Sequence, residues 1–185
     1  MAWRRELPKL DKVAVVRRFL TTDEHAVLLD WAERQFENGR LKANPAGPNR
    51  YFSRYEEGDD VPDLFWDVRR RAVRLFSVED YEDEPYYRCF LGCNTDGGFI
   101  QPHRDPSPPG KHHVRMNIMV SSPKRGGHPV IDGKTYRVED RDLWCFYPTL
   151  MLHSSRPMAG DRKRFVISIG ILVPEAALEA IGRSH

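Results

Sequence analysis

The chain changes rhythm near residue 85. Before that point, apolar residues recur mostly at helical spacing; after it they fall into short runs broken by Gly, Pro and Asp. Residues 13–19, rich in Val and ending on Phe19, read as a short strand. Thr21 and Glu24 then have the spacing of a capping box, and Val27, Leu28, Trp31, Ala32 and Phe36 share one face, which predicts a helix to about residue 37. Residues 38–50 carry Gly39, Pro45, Gly47 and Pro48 among polar groups and read as a loop. Pro62 and Asp63 open a second helix, with Leu64, Phe65, Val68, Ala72 and Leu75 inward as far as about Phe76. Arg69, Arg70, Arg71 and Arg74 are expected to point mostly outward.

Beyond Pro85 the pattern predicts strands at 86–93, 98–102, 114–120, 129–131, 134–138, 142–147 and 164–173. Asp132-Gly133 suits a hairpin turn between two of them. Many short strands with such punctuation make a β-sandwich or barrel, and two helices ahead of them would pack on one outer face. The expected class is therefore α+β, mainly β. With no repeat, low-complexity stretch or linker, residues 1–185 read as one domain, 1–85 as support and 86–173 as core.

Composition changes this picture little. Forty per cent hydrophobic and 30% charged residues suit a folded soluble chain of 185 residues. The formal net charge of +2 is spread through mixed-sign segments, so no nucleic-acid partner is expected. No apolar stretch of about 18 residues suggests a membrane partner or a leader. Cys89, Cys93 and Cys145 lie in apolar runs rather than at zinc spacings, which favours buried reduced thiols and a cytoplasmic setting. Oligomeric state leaves no trace in the pattern.

Chemistry enters at His103-Arg104-Asp105. On an extended segment, side chains two residues apart share a face, so this imidazole and carboxylate can share a metal. His153 lies 50 residues after His103, at the end of an apolar run. Two histidines and one carboxylate on one face of an octahedron leave three positions open, which suits Fe(II) that must also bind a co-substrate and dioxygen. A lone His-X-Asp is weak, since such tripeptides arise by chance. Its setting strengthens it: Gly97-Gly98 and the apolar Phe99-Ile100 before it, a turn-rich loop after it, the distal His153, and the basic residues of Asp161-Arg162-Lys163-Arg164 ahead of an apolar strand.

With these residues, the segment 86–173 resembles the double-stranded β-helix (jelly roll, cupin-like) core of the Fe(II)/2-oxoglutarate-dependent oxygenases, and the strand and helix starts before it resemble the prolyl-hydroxylase-like branch. The resemblance implies that His103, Asp105 and His153 hold the iron and that Arg164 binds 2-oxoglutarate. It also implies a co-substrate role for Arg115 and Asn117 on the strand after the metal motif. Two departures stand out. The family's basic residue usually lies ten positions past the distal histidine, whereas Arg162 lies nine and Arg164 eleven beyond His153; alternation from Arg164 through Val166 to Ser168 favours Arg164. Many relatives have a tyrosine before the metal motif; Tyr87 and Asn94 are the candidates to replace it.

The resemblance further implies a 2-oxoglutarate-dependent dioxygenase that hydroxylates an unactivated C–H bond. The expected substrate is a small molecule or peptide: an amino acid, free or carrier-linked, or a peptide side chain. It would enter near the loops 38–56, 106–113 and 121–128, where Arg54, Lys111, Lys124 and Arg125 are candidate contacts with a carboxylate. His112 and His113 read as a polar loop, His128 as an exposed turn residue, and Trp144, Phe146 and Tyr147 as packing. Gly170 stands where a nucleic-acid demethylase of the superfamily would carry a second arginine. A metal-dependent cupin that does not use 2-oxoglutarate would keep the triad without needing Arg164. A non-catalytic β-sandwich binding module would need neither.

Overall fold

The computed structural model describes residues 7–45, 47–76 and 80–176. In chain order its elements are β1 (Ala14–Val16), α1 (Thr22–Glu37), β2 (Lys42–Ala43), β3 (Arg50–Arg54), α2 (Asp63–Leu75), β4 (Glu82–Asp83), β5 (Cys89–Asn94) and β6 (Lys111–Ser121). After these come β7 (Arg125–Gly126), β8 (Pro129–Ile131), β9 (Lys134–Thr135), β10 (Leu143–Phe146), β11 (His153–Ser155), β12 (Met158–Ala159) and β13 (Arg164–Pro174).

Both helices form where the pattern places them. The hydroxyl of Thr21 accepts from the Glu24 N–H and the Glu24 carboxylate accepts from the Thr21 N–H, so two N-terminal donors of α1 are satisfied reciprocally. Glu24 also binds Arg71 of α2, which joins the helices at their polar edge. The expectation of an outward arginine face fails at Arg69. Its side chain is buried and paired with Asp83 of β4, because the helix lies against that short edge strand.

One antiparallel sheet runs in the order β1-β10-β6-β13-β5-β3-β2, with β4 also on β13; β11-β8-β9 and β12-β7 make two smaller sheets. The large sheet separates two environments. Leu91 and Cys93 of β5, Val114, Met116 and Ile118 of β6, and Phe165, Ile167 and Ile169 of β13 join Leu28, Trp31, Phe65 and Ala72 of the helices in the main core. On the opposite face Met119, Trp144, Phe146 and Val166 meet Ile131, Val138 and Met151 in a second apolar cluster. Both clusters result from the period-two alternation of long central strands.

Strand boundaries differ from the pattern where tertiary pairing decides. The loop expected over 38–50 contains β2, and β3 begins at its last residue; both are ordered by pairing, β2 on β3 and β3 on β5. The strand expected at 98–102 is extended chain instead. Gly98 and Ile100 carbonyls accept from Met158 and Ser155, but the Ile100 N–H goes to the Ser155 hydroxyl and Pro102 has no N–H to give, so no regular ladder forms. β11 and β12 opposite it gave no sequence signal. The Asp132-Gly133 turn is as expected, with both residues at positive φ (46° and 77°) and Ile131 paired to Lys134. Cys89, Cys93 and Cys145 are buried and unpaired. Among the described residues no helix is long and apolar enough to cross a membrane.

Thr21→Ala should lower unfolding stability by about 1 kcal/mol in urea titration, as expected for loss of an N-cap. Phe65 is fully buried and meets Trp31, Tyr55 and Trp66 edge to face. Phe65→Ala should therefore cost about 3–5 kcal/mol in the same measurement.

Candidate functional site

His103 and His153 are brought together by their backbones. Each donates its N–H to the other's carbonyl, at 3.0 and 2.9 Å, in an isolated antiparallel bridge. Asp105 is anchored two residues on by its N–H to the Pro148 carbonyl at 3.0 Å. The side chains converge: ligand atoms of His103, Asp105 and His153 all lie within 4.8 Å of one another. Nε2 of His103 and of His153 lie 3.4 and 3.8 Å from Asp105 Oδ1. The opposite nitrogens, Nδ1, face the carbonyls of Gln101 (2.8 Å) and Met151 (3.2 Å). Carbonyls accept only, so Nδ1 of each ring carries a proton and Nε2 points inward; contact with Asp105 favours a proton on Nε2 of His103, the proton that a metal would displace.

A buried charge network surrounds the carboxylate. Burial alone would raise Asp105, yet the hydrogen bond from His103 and the charges of Arg115, His153 and His113 hold it well below the usual carboxylate range. Arg115 is itself buried, with Nη2 3.4 Å from Asp105 and 3.7 Å from Glu84, and Nη1 donating to the Tyr87 carbonyl at 2.7 Å. Gly170 pairs with Arg115 across the sheet, and a Cβ there would lie 2.8 Å from Nη1, so glycine leaves room for the guanidinium. Burial, then the charge of His103, pushes His153 down to about 4. A neutral imidazole results, fit to bind a cation.

His112 and His113 belong to β6, not to a loop. His113 is buried with Nδ1 3.7 Å from Asp105, and burial pushes it down to about 3. The apolar run 114–120 hid this, because the strand begins three residues earlier, at Lys111. His128 is half-buried rather than exposed. Arg54 stacks over Tyr87, Lys111 pairs with Glu82 and Lys124 with Asp161.

The triad opens onto a cavity of about 330 Å³. Its wall is one face of the large sheet, where Arg50, Asn94 and Arg164 are direct cross-strand neighbours, as are Phe52, Gly92 and Val166. Asn117, Ser168, Trp144 and Phe146 complete the wall. Arg164 is buried; burial and the charge of Arg50 lower it to about 10, so it stays protonated at neutral pH. Its Nε, the Asn94 amide nitrogen and the Ser168 hydroxyl are buried without hydrogen-bond partners among the described residues. Arg162 turns the other way and binds Asp140 and Ser121. Tyr87 stands half-exposed at the cavity mouth with Phe52 and Phe90. The sequence pattern did not single out Arg50. The alternation of Arg50, Phe52 and Arg54 was its one signal, too short to stand out in a Gly- and Pro-rich stretch.

No protein-family profile matches the sequence, and no characterised protein matches it by sequence comparison. Solved structures do match in three dimensions. A Pseudomonas putida prolyl-4-hydroxylase superposes with a TM-score of 0.66 at 16% identity, covering 88% of this chain and 92% of that one. A viral collagen prolyl hydroxylase from Paramecium bursaria Chlorella virus-1, solved with 2-oxoglutarate, gives 0.62 at 15% identity over 87% and 96%. The α-ketoglutarate-dependent epimerase SnoN of nogalamycin biosynthesis gives 0.65 at 14% over 89% and 78%. The resemblance carried in the sequence by His103, Asp105 and His153 thus extends through the chain, which has the fold of the Fe(II)/2-oxoglutarate-dependent oxygenases.

Proposed function

We propose that this protein is an Fe(II)- and 2-oxoglutarate-dependent dioxygenase that hydroxylates an unactivated C–H bond, on a jelly-roll core. The observation that carries this reading is one cavity with a convergent His-Asp-His group on one side and a buried arginine with unpartnered donors around it on the other. Dry donors without acceptors are costly, and a carboxylate would satisfy them.

The residues present fit the implied metal. His103 and His153 turn Nε2 toward Asp105, with His153 neutral and Asp105 ionised. Three donors from one side leave the cavity side open. Bound Fe(II) would supply the redox centre that couples oxidative decarboxylation of 2-oxoglutarate by dioxygen to oxidation of a substrate C–H bond. The chain's own groups do the rest. Arg115 holds Asp105 in its orientation through Nη2, which also faces Glu84, while Nη1 is fixed by donating to the Tyr87 carbonyl. Arg164 would grip the distal carboxylate of 2-oxoglutarate, with Asn94 and Ser168 supplying further hydrogen bonds. Asn117, beside Ser168 in register, extends that row. Trp144, Phe146 and Val166 keep water from the site. A cupin without 2-oxoglutarate would have no use for the unpartnered donors at Arg164.

A free or carrier-linked amino acid or a peptide side chain is our proposed substrate class. One matching structure is a prolyl hydroxylase in complex with a peptide fragment, which supports the peptide option. With its cysteines unpaired, we place the protein in the cytoplasm.

Anaerobic addition of Fe(II) and then 2-oxoglutarate to the wild type should produce a weak visible charge-transfer band. Arg164→Ala should weaken 2-oxoglutarate binding by about 100-fold while iron binding persists, and Arg162→Ala should leave both intact. The reverse ranking of the two arginines would sink the assignment. His153→Ala should abolish stoichiometric iron in metal analysis while the far-ultraviolet circular dichroism stays that of the wild type.

A further inference from the structure

Arg50 lines the cavity, and the metal and co-substrate roles proposed above do not use it. Its side chain makes no hydrogen bond or ion pair among the described residues, although Arg17, Arg34, Arg69, Arg71, Arg88, Arg115 and Arg162 all have carboxylate partners. Burial pulls it below the ordinary guanidinium value, and the charge of Asp105 opposes that shift. The cost of desolvating this half-buried cation is therefore offset only in part among the described residues. Asp105 acts on it at a distance and forms no ion pair with it, being committed to His103 and Arg115.

Register places Arg50 and Arg164 on either side of Asn94, two strands apart, a separation of about 10 Å. The charge of Arg50 lowers Arg164, and neither has an anion. Carried on backbones so separated, and repelling each other, the two cations suit two anions better than one small diacid gripped by both. If Arg164 holds the co-substrate, Arg50 is left for something else.

The surroundings of Arg50 define the rest of the ligand. Phe52 comes next on the same face, and its ring meets those of Phe90 (6.3 Å) and Tyr87 (6.2 Å), which meet each other at 6.1 Å. Gly92, between Phe52 and Val166 in register, adds no side chain, and the Phe90 ring lies against it, 3.4 Å from where a Cβ would be. An apolar platform thus starts two residues along the strand from Arg50, about 7 Å of backbone.

We infer that Arg50 is the specificity-determining anchor for a carboxylate on the substrate, whose apolar body lies against Phe52, Tyr87 and Phe90. The substrate is then a small carboxylic acid with an apolar or aromatic portion, held with its anionic end near the metal group and its body toward the mouth. With Arg164, Asn94 and Ser168 given to the co-substrate, the one guanidinium left at Arg50 matches a monoanion rather than a phosphate. The inference deepens the oxygenase reading and rests on it for the partition between Arg164 and Arg50.

Calorimetric titration of the Mn(II)-loaded protein, saturated with 2-oxoglutarate, tests it with 3-phenylpropionate and its neutral amide as probes. The acid should bind the wild type at least about tenfold more tightly than the amide, the factor one charge-assisted hydrogen bond supplies. Arg50→Gln should erase the preference and Arg50→Lys should restore part of it, while 2-oxoglutarate affinity in Arg50→Gln stays within about twofold of wild type. Equal or undetectable binding of the two probes, or a preference that survives Arg50→Gln, overturns the inference. So does a tenfold loss of 2-oxoglutarate affinity in Arg50→Gln, which would give Arg50 to the co-substrate. Should the wild type fail to bind 2-oxoglutarate yet still prefer the acid through Arg50, the oxygenase reading falls and the carboxylate site stands.

Discussion

The antiparallel register of β13 between β5 and β6 is the constraint on which everything else depends. Because side chains alternate, this one alignment sends Phe165, Ile167 and Ile169 toward the helices and Arg164, Val166 and Ser168 toward the cavity. A slip by one residue would drive a guanidinium into the helix-side core and expose isoleucines to the cavity. The helices hold the register from behind, since Trp31, Phe65 and Ala72 find an apolar surface only in the observed alignment. Stability and site geometry are thus the same fact seen from two faces of a sheet.

The opposite wall is built by weaker means. His103 and His153 depend on a single reciprocal pair of backbone bonds rather than on a ladder, and Pro102 ends regular pairing just before them. Convergence of the three ligand atoms is enforced by side-chain bonding: Nδ1 of each histidine to a carbonyl, Asp105 to Arg115, and Arg115 to Glu84 and Tyr87. Such a network is stable only when complete, because each buried charge relies on the next. The proposed function uses that completeness on the triad side and its lack on the Arg164 and Arg50 side, where donors wait for acceptors.

Similarity to the prolyl hydroxylases and SnoN at 14–16% identity shows how little sequence this architecture needs to retain. Volume and polarity in alternating positions are enough to keep the sheet, since cores tolerate substitution when patterning is kept. Within this fold, the His-X-Asp of His103 and Asp105 and the distal His153 are brought within 4.8 Å of one another.

Much of this was legible in one dimension. Periodicity showed both helices, the Thr21 cap and the long strands β6 and β13, because those elements have internal signals: a repeating apolar face, a capping pair, β-branched alternation. His103 and Asp105 were legible because two residues on an extended segment must share a face, and the Asp132-Gly133 turn because few residues accept its backbone angles. Other features had no local cause. The strands β2, β3, β11 and β12 exist only through their partners, and Arg69 is buried only because β4 lies against α2. His113 reached the carboxylate by belonging to a strand longer than its apolar centre, and Arg50 met Asn94 and Arg164 across two strand pairings from distant parts of the chain. Periods and spacings are properties of neighbours in sequence; which charge finds a partner, and which is left facing a cavity without one, is decided by neighbours in space.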